Sequence, residues 1–183
     1  MRFTGTLYLV VGPSGAGKDS LIRAARSKLD GNPDYAFPAR AITRPPQPGE
    51  GHRHISGPAF EAEEAAGAFA LTWRAHGFAY GITRDVEADL AAGRAVIVNV
   101  SRTVIGEARE KFPNVTVVFV NAPNQALAER LAGRGRENAE QARERLSRAR
   151  AYSVEGPGVI ELINDGTLEA AIEKFIDILR GDT

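Results

Sequence analysis

The sequence predicts an α/β fold with a largely parallel central sheet, and three observations carry that expectation. Short apolar runs at Tyr8 to Val11, Ala95 to Val100, Val115 to Val120 and Val159 to Ile163 are rich in β-branched residues and barely alternate, as strands covered on both faces do. Stretches with helical spacing separate them, so strand and helix alternate almost from end to end. A glycine-rich turn joins the first apolar run to the first helical stretch.

That turn reads Gly12-Pro13-Ser14-Gly15-Ala16-Gly17-Lys18, followed by Asp19 and Ser20. Strand, G-x-x-x-x-G-K and helix together form a P-loop. Its glycines let backbone N–H groups turn inward around a β-phosphate, Lys18 reaches the β and γ oxygens, and the helix N-terminus adds partial positive charge. The usual Ser or Thr after the lysine, whose hydroxyl ligates Mg²⁺, is replaced by Asp19, with Ser20 next. Two readings share this position. Asp19 supplies a carboxylate oxygen to the metal, or it complements the helix dipole in the first turn while water or Ser20 serves the metal. Beyond it, Leu21, Ile22, Ala25 and Leu29 keep helical spacing, as do Leu168, Ala171, Ile172, Phe175 and Leu179 near the C-terminus, and both stripes are expected in the core.

Two segments break the rhythm. The first, about residues 39 to 80, opens with a Pro/Gly-rich run and continues through a short helix around Phe60 to Ala66; it reads as an inserted subdomain. It holds His52, His54 and His76 together with Arg40, Arg44, Arg53 and Arg74. A mixed His/Arg group suits anion contact; a metal site from His52, His54 and His76 is the weighed alternative. The second, Arg130 to Tyr152, has Gly133 and Gly135 between two helical stretches and reads as a mobile arginine-bearing flap, with Asn138 and Gln141 as a capping box. Its later arginines suit a solvated face with pairs such as Glu144 and Arg148, whereas Arg134 and Arg136 flank the break, where an arginine can stabilise charge on a transferring phosphoryl group.

At 183 residues and 43% hydrophobic content, the chain suits one compact domain spanning 1–183. It has no cysteine, which excludes disulfides and thiolate metal sites and suits a cytoplasmic setting. No apolar run reaches membrane-spanning length, and the N-terminus reads as a core strand rather than a signal peptide. Lys+Arg and Asp+Glu both number 23, so nothing suggests a nucleic-acid coat. Oligomeric state is not legible.

The order of parts resembles that of the nucleoside monophosphate kinases, guanylate kinase above all. The resemblance rests on GPSGAGK, on Thr43-Arg44 with Pro45, Gly49 and Glu50, on Tyr80-Gly81, on Arg130-Leu131 with Arg134-Gly135, and on Ile163-Asn164-Asp165. The guanine-reading positions depart from it. Leu71-Thr72-Trp73 stands where guanylate kinases carry FxEW, Gln47 where they carry an arginine, His54 where they carry a phosphate-gripping tyrosine, and Asn99 where they carry an aspartate. A site built to hydrogen-bond a base loses about 10⁴-fold in selectivity when its partners vanish. These departures, with the Lys18-Asp19-Ser20 run, Arg40-x-Ile42-Thr43-Arg44, Asn99-x-Ser101-Arg102 and Arg134-Gly135-Arg136-Glu137-Asn138, are similar to those of the ribose 1,5-bisphosphate phosphokinases.

The resemblance implies a P-loop kinase with an inserted acceptor-binding subdomain and a helical lid at about 130–152. It implies ATP and Mg²⁺ as cofactors and a phosphorylated sugar as acceptor. The ATP phosphates are expected on residues 12 to 20 and Arg130, the metal near Asp19 and Ser20, and the transferring group under Lys18, Arg134, Arg136 and Arg145. The acceptor phosphates are expected on some of Arg40, Arg44, His54, Arg74, Tyr80 and Arg102, with Asn99 facing the acceptor. Two alternatives share the fold: a nucleoside monophosphate kinase still active on guanylate, and a non-catalytic nucleotide-binding module.

Overall fold

The structure is a computed structural model that describes residues 2–45, 51–123 and 154–182. The chain divides into two compact units, residues 1–9 with 31–115 and residues 10–30 with 116–183. No helix among the described residues is long and apolar enough to cross a membrane.

In the first unit, the strands β2 (Tyr35–Ala36) and β7 (Ala95–Asn99) pair in parallel, Tyr35 opposite Ala95. The same unit holds a second sheet of four strands, β3 (Ala41–Ile42), β4 (Arg53–His54), β5 (Phe69–Ala75) and β6 (Phe78–Thr83), in the order β4-β3-β6-β5. Here the inserted subdomain has more structure than its sequence announces, because β5 and β6 form an antiparallel hairpin. Its two-residue turn is His76-Gly77, with φ 52° and 77°, a left-handed pair that matches the twist of the flanking strands. Helix α2 (Gly57–Ala65) covers this sheet, starting at Ser56, whose Oγ accepts from Ala59 N at 3.4 Å. Beneath it Phe60 packs with Ala41, Ile55, Phe69 and Ala79, and the Phe60 and Phe69 rings stack at 4.7 Å. Helix α3 (Asp85–Ala91) leads back to β7, and after Asn99 a 3₁₀ turn at Arg102–Val104 opens helix α4 (Ile105–Lys111). This turn lies against β5, and Lys111 Nζ donates to Ala70 O at 2.9 Å.

In the second unit, residues 10–17 lead into α1 (Lys18–Lys28), and β8 (Val115–Asn121) pairs in parallel with β9 (Val159–Ile163). Helix α5 (Leu168–Arg180) packs on α1; Thr167 caps its start, and Gly181 at φ 78° ends it. Strand β1 (Leu7–Val11) is fully buried, with Leu7 to Leu9 in the first unit and Val10 and Val11 in the second.

Two expectations about burial are corrected. Strand β9 is at the sheet edge, not covered on both faces: Leu162 is buried, but Ile163 is 48% exposed. The C-terminal stripe is core from Ala171 onward, whereas Leu168, in the first turn of α5, is 45% exposed.

Candidate active site

The glycine-rich loop occupies residues 12 to 17 of the second unit, and its glycines are dictated by close approach. Gly12 has φ 148°, and a Cβ there would sit 2.1 Å from the Val120 carbonyl oxygen. Gly17, the N-cap of α1, has φ 98°, and a Cβ there would meet Asn164 Nδ2 at 2.6 Å. The loop is thus seated against the ends of β8 and β9 with no room for side chains at these two points. Lys18 Nζ donates to Gly12 O at 2.7 Å and to Pro13 O at 2.8 Å. The lysine therefore lies folded over its own loop.

Asp19 stands in the first turn of α1 and is exposed, the placement of a dipole-complementing carboxylate. Ser20 follows in the same turn and is half-buried. One carboxylate and one hydroxyl beside a phosphate cradle form an oxygen donor set that fits Mg²⁺, which takes few protein ligands and completes its shell with phosphate and water. Among the described residues no cluster of three or more His, Cys, Asp or Glu could hold a metal ion. The alternative of a metal on His52, His54 and His76 has no support in that placement, since His76 belongs to the hairpin turn.

The acceptor candidates lie in the first unit, and strand register sorts them. Ile42 is opposite His54 on one side and Tyr80 on the other, and Tyr80 is opposite Trp73. Side chains in register share a face, so His54, Tyr80 and Trp73 point to one side of the small sheet. The Trp73 and Tyr80 rings stack at 5.2 Å and are nearly parallel at 5°. His54 Nδ1 lies 2.9 Å from Arg44 O, and because a carbonyl only accepts, Nδ1 carries the hydrogen. Nε2 is then the nitrogen left for a ligand, and it donates to a phosphate oxygen only when the ring is protonated. Arg40 and Arg44 flank β3 and so bracket the same strand. Asn99 ends β7 and is buried at 9% exposure, while Arg102 opens the 3₁₀ turn behind Ser101, whose Oγ accepts from Thr103 N at 3.3 Å.

Arg74 faces away from Tyr80. It is opposite Ala79, one residue out of phase with Trp73 and Tyr80, and therefore points to the α2 face of the sheet. There its guanidinium donates to both Glu64 oxygens and lies 5.0 Å from the Phe60 ring centroid. Arg53 pairs with Glu63 in the same way. Hydrogen bonding from Arg74, then from Thr72, holds the Glu64 carboxyl below its ordinary value, and Arg53 does the same for Glu63. These two arginines brace α2 onto the sheet; they are not on the face of Tyr80.

Gly81, in the Tyr80-Gly81 pair, is opposite Thr72, and a Cβ there would press into the Phe69 ring at 2.6 Å. Arg130, Arg134, Arg136, Arg145 and the whole expected lid lie outside the described residues, as do Gln47, Gly49 and Glu50. Two contributors escaped the reading of single residues. Trp73 aligns Tyr80, a pairing visible only once the hairpin register is known. Asn164 abuts the loop at Gly17; its signal was a polar residue at the carboxyl end of a parallel strand, where open α/β sheets place their ligands.

A family model described as Guanylate kinase matches residues 4–181. The chain belongs to the guanylate kinase family. It is 49% identical over 179 residues to the ribose 1,5-bisphosphate phosphokinase PhnN of Acidiphilium cryptum, covering 98% of this chain and 94% of that protein. It is 44% identical over 184 residues to the bifunctional ribose 1,5-bisphosphokinase-thymidine phosphorylase of Cupriavidus necator, covering all of this chain but 30% of that longer protein. The crystal structure of guanylate kinase from Anaplasma phagocytophilum has a TM-score of 0.69 with 19% identity, covering 99% of this chain and 87% of that one, a likeness of fold. The resemblance to ribose 1,5-bisphosphate phosphokinases carried by the motifs thus extends over nearly the whole family domain.

Proposed function

We propose that this protein transfers the γ-phosphoryl group of ATP to the 1-phosphate of ribose 1,5-bisphosphate, giving 5-phosphoribosyl 1-diphosphate and ADP, in the cytoplasm. The observation that carries this reading is the 49% identity to a ribose 1,5-bisphosphate phosphokinase over 94% of that protein's length. A feature of the small sheet supports it against guanylate. Where guanylate kinases carry their base-reading glutamate stands Thr72, whose side chain hydrogen-bonds Glu64 and whose cross-strand partner is Gly81. That position has no carboxylate of its own for a guanine edge and no side chain opposite it.

The acceptor is a phosphate, whose second pKa of about 6 leaves it mostly dianionic at neutral pH, so no general base is needed. The protein has instead to hold like charges in line and to neutralise them during transfer. In this reading the loop N–H groups between Gly12 and Gly17, Pro13 having none, and Lys18 bind the ATP phosphates, with Lys18 exchanging its two carbonyl partners for phosphate oxygens. Asp19 and Ser20 would hold Mg²⁺, which when bound neutralises charge on the β and γ oxygens. Arg40, Arg44, Arg102 and Tyr80 supply guanidinium and phenol donors, and His54 an imidazolium donor when its ring is protonated, for two phosphate subsites, as a bisphosphate requires. Asn99 is a neutral amide where a carboxylate would repel the added phosphate. The lid arginines Arg130, Arg134, Arg136 and Arg145 complete the charge neutralisation.

The test is ADP release from Mg-ATP with ribose 1,5-bisphosphate and with GMP at equal concentration, the product identified by mass. Turnover of the ribose bisphosphate, with one phosphoryl group gained, is expected. Turnover of GMP alone would make the protein a divergent guanylate kinase, and absence of turnover with every acceptor would make it a nucleotide-binding module.

A further inference from the structure

Asn164 is 3% exposed, and its side chain is committed to the phosphate loop. Nδ2 donates to Ala16 O at 2.9 Å, and the same nitrogen bars any Cβ from Gly17. The amide orientation is determined by its partner, since the reverse would set two oxygens face to face. Asn164 is itself anchored, its backbone N donating to Asn121 O at 2.7 Å at the end of β8. Its Oδ1 is buried with no hydrogen-bond partner among the described residues.

The geometry has a direct consequence for the cradle. In a trans peptide the carbonyl and the following N–H point in opposite directions. Holding Ala16 O toward Asn164 therefore aims the Gly17 N–H away from it, as a loop that wraps phosphate with its amides requires. The same contact sits at the N-cap of α1, where helix-terminal N–H groups add to anion binding.

We propose that Asn164 is a positioning residue of the phosphate cradle, setting nucleotide affinity by fixing the Ala16–Gly17 peptide without touching the nucleotide phosphates. The proposal rests on the nucleotide-binding part of the function above and is independent of the acceptor.

The experiment is calorimetric titration of the full chain with Mg-ADP, in the absence of acceptor. Asn164→Ala, which leaves Ala16 O without its donor, is expected to weaken Mg-ADP by about 10-fold, the worth of one well-placed hydrogen bond. Asn164→Asp keeps the shape but turns an acceptor toward Ala16 O. It is expected to bind on the order of 10-fold or more weaker when ionised and to recover as pH falls and the carboxyl gains an O–H to donate; burial moves that recovery above the ordinary carboxylate pKa of about 3.9. Asn164→Ser, which retains a donor, keeps the fold testable should the charged variant fail to fold, and is expected to lie between Ala and native. A merely structural role would lower the melting temperature while leaving Mg-ADP affinity of the folded protein unchanged and without pH dependence. Native-like affinity in folded Asn164→Ala, or in Asn164→Ser and Asn164→Asp at every pH, would overturn the proposal. Failure of ribose bisphosphate turnover with these nucleotide effects intact would remove the acceptor reading and leave this one standing.

Discussion

In the phosphate loop the groups offered to a ligand are mostly backbone amides, and the side chains around them serve to aim that backbone. In the small four-stranded sheet the groups proposed to meet the acceptor are side chains, and the backbone serves to sort them by face. Gly12 and Gly17 are tolerable only as glycine because Val120 and Asn164 stand against them. On the sheet, by contrast, a single step along β5 separates Trp73, stacked on Tyr80, from Arg74, bound to Glu64 behind the sheet. A backbone-built site fails as a whole when one position is filled, while a side-chain-built site loses one donor at a time.

The largest effect that would break this contrast belongs to Gly12→Ala. A methyl 2.1 Å from a carbonyl oxygen, at a φ of 148°, cannot be accommodated without moving the loop or β8. Loss of about 3 kcal/mol or more of stability is expected, with loss of measurable Mg-ADP binding, checked by urea unfolding and titration. A folded variant with native affinity would show that the cradle tolerates displacement.

Tyr80→Phe removes one hydroxyl and leaves the stack on Trp73 in place. The KM for ribose 1,5-bisphosphate should rise about 10- to 100-fold while the KM for ATP stays within about twofold, since a hydrogen bond to a charged phosphate is worth about 1.5–3 kcal/mol. Steady-state kinetics with each substrate varied in turn separates the two. An equal change in both constants would mean that the sheet and the loop do not divide the substrates as described.

Arg74→Ala should have the smallest effect: about 0.5 kcal/mol of stability and no change in acceptor KM, as befits an exposed pair. Its pH signature follows from the Glu64 carboxyl, which is held low by Arg74 and Thr72. The contribution of such a group is complete above the ordinary glutamate pKa of about 4.3 and is lost as pH falls through the lower folded value. Native and variant proteins should therefore differ in thermal stability near neutral pH and converge in acid. A rise in acceptor KM in this variant would return Arg74 to the acceptor site.

How far each region was legible follows from the same contrast. The loop could be read because glycine spacing reports backbone geometry directly, and β9 and α5 fall where their patterns put them; in burial, β9 departs from a strand covered on both faces, with Glu161 and Ile163 exposed, and the α5 stripe departs at Leu168 in its first turn. The small sheet was read as an insertion with one helix, and its hairpin was not anticipated. His76-Gly77 is not one of the common Asn-Gly or Asp-Gly turn signals, although His76 takes the left-handed conformation that such a turn demands. Without the turn there was no register, and without register Arg74 could not be told from Tyr80 by face. Asn164 was visible as a motif residue, but its reach of 148 positions back to Ala16 is a property of the fold alone.

The division of the chain within β1 bears on the order of events during synthesis. Every residue of the first unit has been made once Val115 is added, so that unit can close while the ribosome is still at work. The phosphate loop emerges well before the groups that seat it, because the carbonyl that seats Gly12 and the amide that seats Gly17 arrive near position 120 and at position 164. Nucleotide binding is therefore a late event in the life of the nascent chain, and a truncated product lacking β9 would carry the whole glycine-rich motif without the partner that aims it.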